Sequence, residues 1–341
     1  MHRLLLIAVA SLCCQFASAA SCQVLLIGGE PGSAVYQRRF QDWLTRSHAL
    51  LVQAGVPAKD IRLLSADPGF KAAIVSGPAT AAAVVAEITT IAGRAKREDQ
   101  FVCIIVGHGT LVEGIGPRLL MPGPDLAPEA LAKAMAGLPC REQVVINLAG
   151  IAGSWIADLA AAERVNLAAT CPGETPDPVF GEFLLRAFEE RRADGHAGGP
   201  KDGAVDCLEA FTWAAQESVR WIARGRYNGE AGAWRIDGRE SVALFEKLFG
   251  GIAGVPGARK LDPASDRNAV DAVPLIQPRD GKLDQAWDGR RMIDEHAMIE
   301  DCGVAEGVPA LDTAGFTTFP AAEALQPGFL ARRIVLGKPK P

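Results

Sequence analysis

Aromatic side chains are scarce in this 341-residue chain, at 6%, and only two of them are tyrosine. The core must therefore rest on Ala, Val, Leu and Ile. A basic block is also absent: 35 Lys and Arg stand against 40 Asp and Glu, for a net charge of -5. Such a chain gains little from phosphate attraction, which argues against nucleic acid as a main partner. No apolar run reaches the roughly 20 residues of a spanning helix. No CxxC, HxxxH or HExxH spacing occurs, so no metal is implied. GxSxG, GxGxxG and GxxxxGK[ST] are missing too, and no cofactor is implied. Hydrophobic residues are nonetheless 49% and charged residues 22%, which excludes disorder along the whole chain. The length suffices for a sizeable core that needs no disulfide staples.

Residues 1–20 have the form of a secretory leader. His2 and Arg3 precede an apolar run, Leu4 to Leu12, and Ala17-Ser18-Ala19 supplies a small-x-small site. Cleavage is expected near Ala19 or Ala20, and the mature protein is expected to be exported, periplasmic or secreted. Cys22 follows Ala19-Ala20-Ser21, which lacks the Leu usual before a lipid-anchored cysteine. Cys13 and Cys14 leave with the leader. Cys22, Cys103, Cys140, Cys171, Cys207 and Cys302 remain, and six cysteines allow 15 pairings. The spacing selects none of them. Cys103 lies inside an apolar strand and reads as a buried thiol.

Strands alternate with helices. Gln23 to Gly29, Asp60 to Ser65, Phe101 to Gly107, Gln143 to Leu148 and Val165 to Thr170 read as strands. Ser33 to Gly55, Ala79 to Lys96, Pro128 to Gly137, Ser154 to Ala162, Phe180 to Arg191 and Val205 to Arg224 read as helices. Tyr36, Phe40, Trp43, Leu44 and Leu51 share one face of the first. The last should bury Leu208, Phe211, Val219 and Ile222. Continuous apolar strands between helices predict a three-layer α/β domain, a mostly parallel sheet flanked by helices, over residues 21–225. Residues 226–341 are rich in Gly, Pro, Asp and Ala. They predict an irregular extension packing on that domain, with a short edge strand near Ile334 to Leu336. In a parallel sheet the site lies beyond the C-terminal strand ends. That directs attention to Gly28-Gly29, His108-Gly109, Ala149 to Gly153 and Cys171 to Glu174.

Two of these strand ends carry a pattern. Val106-Gly107-His108-Gly109-Thr110 closes one strand, and Asn147-Leu148-Ala149-Gly150-Ile151-Ala152-Gly153-Ser154 closes the next. The pair resembles the caspase–legumain clan of cysteine peptidases, and within it the bacterial legumain-like family. There a strand ends in His-Gly, and the following strand ends in a Cys with a Gly three residues later. His108 precedes Gly150 by a span compatible with the roughly 50 residues between the caspase His and Cys. Leu25 to Ser65 resembles the family's first strand, helix and second strand. Ala168 to Thr170 with Glu174, Phe180 and Gly181 is similar to its pocket segment. Asp202-Gly203 through Glu209-Ala210-Phe211 resembles a DG…EAF stretch, and Glu295-His296-Ala297 with Glu300 and Asp301 a degenerate EHALLDD segment.

The resemblance implies a caspase-like fold, with His108 as general base and the N–H groups of Gly109 and Gly150 as oxyanion donors. Gly29, Cys171 and Glu174 would line the substrate pocket. One departure decides the expected function. Gly150 stands where the family has Cys, and a one-residue shift puts Ala149 there. Neither can attack a carbonyl. The expectation is therefore a pseudopeptidase that binds a peptide or protein segment without cutting it. Two rivals stay open: an active peptidase or hydrolase with its nucleophile moved to Cys171, and a scaffold that uses the fold for assembly. His108 can also be read as a plain loop histidine, and Gly150 as an ordinary turn glycine. Ser154 reads as a helix N-cap.

Overall fold

A computed structural model describes residues 20–170, 172, 178–224, 226–228, 233–236, 259–260, 297–300, 308–309 and 330–339. In chain order the first elements are β1 (Cys22–Gly28), α1 (Ala34–Gln53), β2 (Ile61–Ser65), β3 (Gly77–Pro78), α2 (Ala81–Ala92) and β4 (Gln100–Val106). A hairpin follows, β5 (Gly109–Val112) and β6 (Gly116–Leu119), and then α3 (Pro128–Met135) and β7 (Glu142–Asn147). A 3-10 turn, Ala152–Trp155, leads into α4 (Ile156–Leu159), β8 (Arg164–Ala168), α5 (Phe180–Glu189) and α6 (Cys207–Arg224). The remaining strands are β9 (Arg226–Asn228), β10 (Ala233–Ile236), β11 (Arg259–Lys260), β12 (Met298–Glu300) and β13 (Val308–Pro309).

The main sheet has the order β13-β12-β8-β7-β4-β1-β2-β3. All pairs from β8 through β3 are parallel, while β12 and β13 join antiparallel at the edge. Alternation along β1 sends Val24 and Leu26 to one face and Leu25 and Ile27 to the other. The first face is covered by α1, α5 and α6 through Phe40, Trp43, Phe180, Phe183, Leu208 and Phe211. The second is covered by α2 and α3 through Val84, Ile88, Ile91, Leu131 and Met135. This is a three-layer α/β arrangement, and burial on both faces explains why the strands are apolar throughout. Each fully buried Leu, Ile or Phe contributes about 1.5–3 kcal/mol by leaving water.

The structure departs from expectation in several places. Thr80, not Ala79, starts the second helix: its hydroxyl accepts from the Ala83 N–H at 3.1 Å. The hairpin β5–β6 was not foreseen, because its strands are four residues long and rich in glycine. Ser154 makes no capping bond and lies inside the 3-10 turn. The C-terminal region is not wholly irregular, since β12 extends the sheet beside β8. Ile334 to Leu336 form no sheet strand. They follow a 3-10 turn and belong to a tight turn closed by Val335 and Lys338. The side chains of Val219 and Ile222 lie outside the described residues.

That tight turn is tied down at the N-terminal end of the sheet. The Gly337 N–H donates to Gln100 Oε1 at 2.7 Å, and Gln100 Nε2 donates to the Val335 carbonyl at 3.1 Å. The Cys207 N–H donates to the Ile334 carbonyl at 2.9 Å. Helix α6 opens with a reciprocal cap. Asp206 Oδ1 accepts from the Glu209 N–H at 2.8 Å, and Glu209 Oε2 accepts from the Asp206 N–H at 3.0 Å. The helix expected from Val205 thus begins two residues later, at Cys207, behind the Asp206 cap.

Burial pushes the Asp206 carboxyl up to about 7. Neighbouring Glu209 adds to the rise, while backbone N–H groups and Arg332 oppose it. Glu209 is raised in the same direction, again by burial. The folded state therefore binds these protons more tightly than the unfolded chain. The stabilisation from Asp206 is complete below the ordinary carboxyl value near 4 and is lost as pH rises to about 7. Asp206→Asn keeps a capping oxygen and removes the titration. Chemical denaturation across that interval is expected to show a shallower loss of stability in the variant than in the wild type.

Candidate functional site

The chain leaves β1 for β2 on one side and returns to β4 on the other. The crevice at this reversal, beyond the carboxyl ends of β1 and β4, is where open parallel sheets bind ligands. His108 follows β4 there, and Gly150 follows the adjacent β7. Parallel pairing of Ile105 with Asn147 brings the two ends level. A Cβ on Gly109 would lie 1.9 Å from the Gly150 carbonyl oxygen. No side chain fits at position 109, so the two turns touch backbone to backbone.

His108 is half-buried and held on several sides. Its ring meets Tyr36 edge-on with centroids 4.4 Å apart, and Phe40 at 5.0 Å. Both come from α1, the helix that follows β1. His108 Nε2 lies 3.1 Å from the Pro31 carbonyl oxygen. A carbonyl only accepts, so Nε2 donates to it. Nδ1 makes no hydrogen bond among the described residues. The ring nitrogen left to meet a ligand is therefore Nδ1, while Nε2 anchors the ring to the loop after β1.

Gly29 is buried rather than presented to a ligand. A Cβ there would come within 2.9 Å of the Leu120 carbonyl oxygen and 3.4 Å of Gly107 Cα. It lets the turns after β1 and β4 pack together. Cys171 and Glu174 lie outside the described residues. So does His296.

The turn after β7 is unusual in two ways. Ile151 adopts φ 53°, in the left-handed region that a β-branched side chain avoids. Such strain costs on the order of 1–3 kcal/mol. Two polar atoms nearby have no partner among the described residues, Asn147 Nδ2 and Thr170 Oγ1. Asn147 is 3% exposed and Thr170 0%. Each such orphan costs about 1–3 kcal/mol. Sequence reasoning missed both: an Asn ending an apolar strand was a visible cue, but its lack of a partner is a tertiary fact.

Chemically, the arrangement offers no nucleophile at positions 149 to 151. The Gly150 carbonyl oxygen, an acceptor, packs against Gly109, where oxyanion chemistry would need donors. Cys22, Cys103 and Cys140 carry no disulfide and are buried. Burial pushes each thiol up to about 12, which leaves them inert. Among the described residues no cluster of His, Cys, Asp and Glu could hold a metal ion, and no helix is long and apolar enough to cross a membrane. A shallow groove lined by Leu50, Phe188, Val205 and Leu336 lies at the C-terminal end of α1, away from His108.

No known family and no curated protein matches the chain. The crystal structure of a Geobacter sulfurreducens protein is similar to it at a TM-score of 0.36 and 12% identity, over 50% of this chain and 83% of that one. A likeness of that size carries no argument about function.

Gly109→Ala is expected to lower stability by about 1–3 kcal/mol, the usual cost of forcing atoms into a packed interior. A drop in the denaturation midpoint with an unchanged slope checks this. A midpoint equal to the wild type would mean that the Gly109–Gly150 contact is loose in solution.

Proposed function

We propose that the protein is an exported pseudopeptidase of caspase–legumain type, which binds a peptide or protein segment at the crevice beside His108 without cleaving it. The observation that carries this reading is the meeting of His108-Gly109 with a strand end that has glycine where an attacking side chain would stand. The Gly150 carbonyl oxygen packed on Gly109 supports it, because that atom opposes an oxyanion rather than stabilising one. The inert thiols of Cys22, Cys103 and Cys140 remove three conceivable replacements. Export rests on the leader read in residues 1–20. In this role His108 acts as a ligand contact through Nδ1, held in place by Tyr36, Phe40 and the Pro31 carbonyl.

Intact mass tests the proposal directly. The mature protein is exposed to peptidyl acyloxymethyl ketones carrying Asn, Asp or Arg beside the warhead. The expected result is no specific adduct, together with retention of intact peptides from a blocked peptide library that His108→Ala weakens. Labelling at Cys171 that disappears in His108→Ala would show a relocated nucleophile and overturn the reading. So would peptide hydrolysis lost in the same variant.

A further inference from the structure

The orphaned Asn147 amide and Thr170 hydroxyl lie together at the C-terminal ends of neighbouring strands, whereas the other orphan of the sheet, Asn166 Oδ1, is in the middle of β8. Asn147 is the last residue of β7. Its orientation is settled by the Ala149 N–H, which donates to Oδ1 at 3.1 Å. That bond needs an acceptor, so the amide cannot be turned round and Nδ2 is left with two free N–H bonds. Thr170 stands two residues past the end of β8, the strand paired with β7. Val145 and Ala149 place the odd residues of β7 on the α2–α3 side of the sheet, and Ala168 places the even residues of β8 against Ala152 and Ile156. Asn147 and Thr170 thus continue the same face of neighbouring strands.

Pairing of Asn147 with Ala168 sets Asn147 and Thr170 about 8 Å apart at Cα, from the strand spacing and the rise of two residues. Small residues share that face at the rim: Ala149, Ala152 and Ala168. Two uncharged donors inside a collar of small residues match a neutral acceptor, the carbonyl oxygen of an amide. We infer that Asn147 Nδ2 and Thr170 Oγ1 form a carbonyl-binding subsite of the crevice, which receives a peptide or carboxamide oxygen of the ligand. This rests on the peptide-binding reading above, adds Asn147 to it and gives the Thr170 hydroxyl a specific role. A carboxylate suits the pair less well, because neither donor carries charge.

The test uses the full mature chain and N-acetylalanine N′-methylamide, a blocked residue with two amide carbonyls. In nitrogen–proton correlation spectra one Asn side-chain amide is expected to shift saturably with this probe, and that signal should be missing in Asn147→Leu. Binding should weaken at least about tenfold in Asn147→Leu and in Thr170→Val, a change equivalent to ~1.4 kcal/mol. Thr170→Val should not melt below the wild type, since it replaces an unpaired hydroxyl with a methyl group of similar shape, whereas Asn147→Leu also strips the Ala149 N–H of its acceptor and is expected to melt lower. If the Asn147 signal stays still while the peptide library binds and remains sensitive to His108→Ala, the subsite is wrong. The pseudopeptidase reading would survive that outcome. If neither probe nor library binds, both fall. Should Asn147→Leu fail to fold, Thr170→Val and the wild-type titration still decide.

Discussion

Burial of both faces of the parallel strands β2, β1, β4, β7 and β8 sets where everything else can go. Strands covered by helices on each side carry few polar side chains along their length, and the exception in mid-strand, Asn166 of β8, donates to Glu300 of β12 at 2.8 Å. Polar and ionisable groups are displaced to the two ends. At the N-terminal end they serve structure: Gln100 binds the tight turn of residues 334–338, and Arg164 is buried with its guanidinium donating to Gln143 Oε1 and the Leu159 carbonyl. At the C-terminal end the bonding is incomplete. There His108 keeps an open Nδ1, and Asn147 and Thr170 keep unmade bonds.

This asymmetry gives the crevice its character. At the N-terminal end Gln100, Gln143 and Arg164 all find partners in side chains or backbone, as a stable fold requires. The C-terminal end tolerates a left-handed Ile151 and two orphaned polar atoms within a short stretch of two neighbouring strands. Strain and unmade bonds of that kind persist only where the surrounding structure over-determines them. The helices supply that support. Trp155 and Leu159 anchor the turn after β7, while Tyr36 and Phe40 hold His108 from the other side.

Binding without cleavage follows from the same geometry. Acyl transfer needs a nucleophile, a base and donors aimed at the developing charge. The crevice retains an oriented histidine and lacks a side-chain nucleophile at the end of β7. An acceptor oxygen, that of Gly150, faces Gly109. Such a site can still hold a carbonyl through N–H and O–H donors, which is a matter of complementarity rather than of reaction.

Periodicity alone determined much of this protein. The runs at Gln23 to Gly29, Phe101 to Gly107 and Gln143 to Leu148 read as doubly buried strands, because their central residues are apolar without alternation. The spacing of Phe40, Trp43, Leu44 and Leu51 could only suit a helix with one buried face, and those four are buried. The rim positions of His108-Gly109 and Gly150 followed from their places at strand ends. Tertiary structure decided the rest. That Gly109 touches the Gly150 carbonyl depends on the register of β4 against β7, which no local pattern encodes. Gly29 was read as facing a ligand, yet it packs on Gly107, because a glycine at a turn looks the same whether it approaches a ligand or another turn. The β5–β6 hairpin escaped notice because strands of four residues with glycines carry too little alternation to stand out. The unpaired state of Asn147 and Thr170 was invisible for the plainest physical reason: a hydrogen bond is a relation between distant residues, and only the folded chain shows which ones are left unmade.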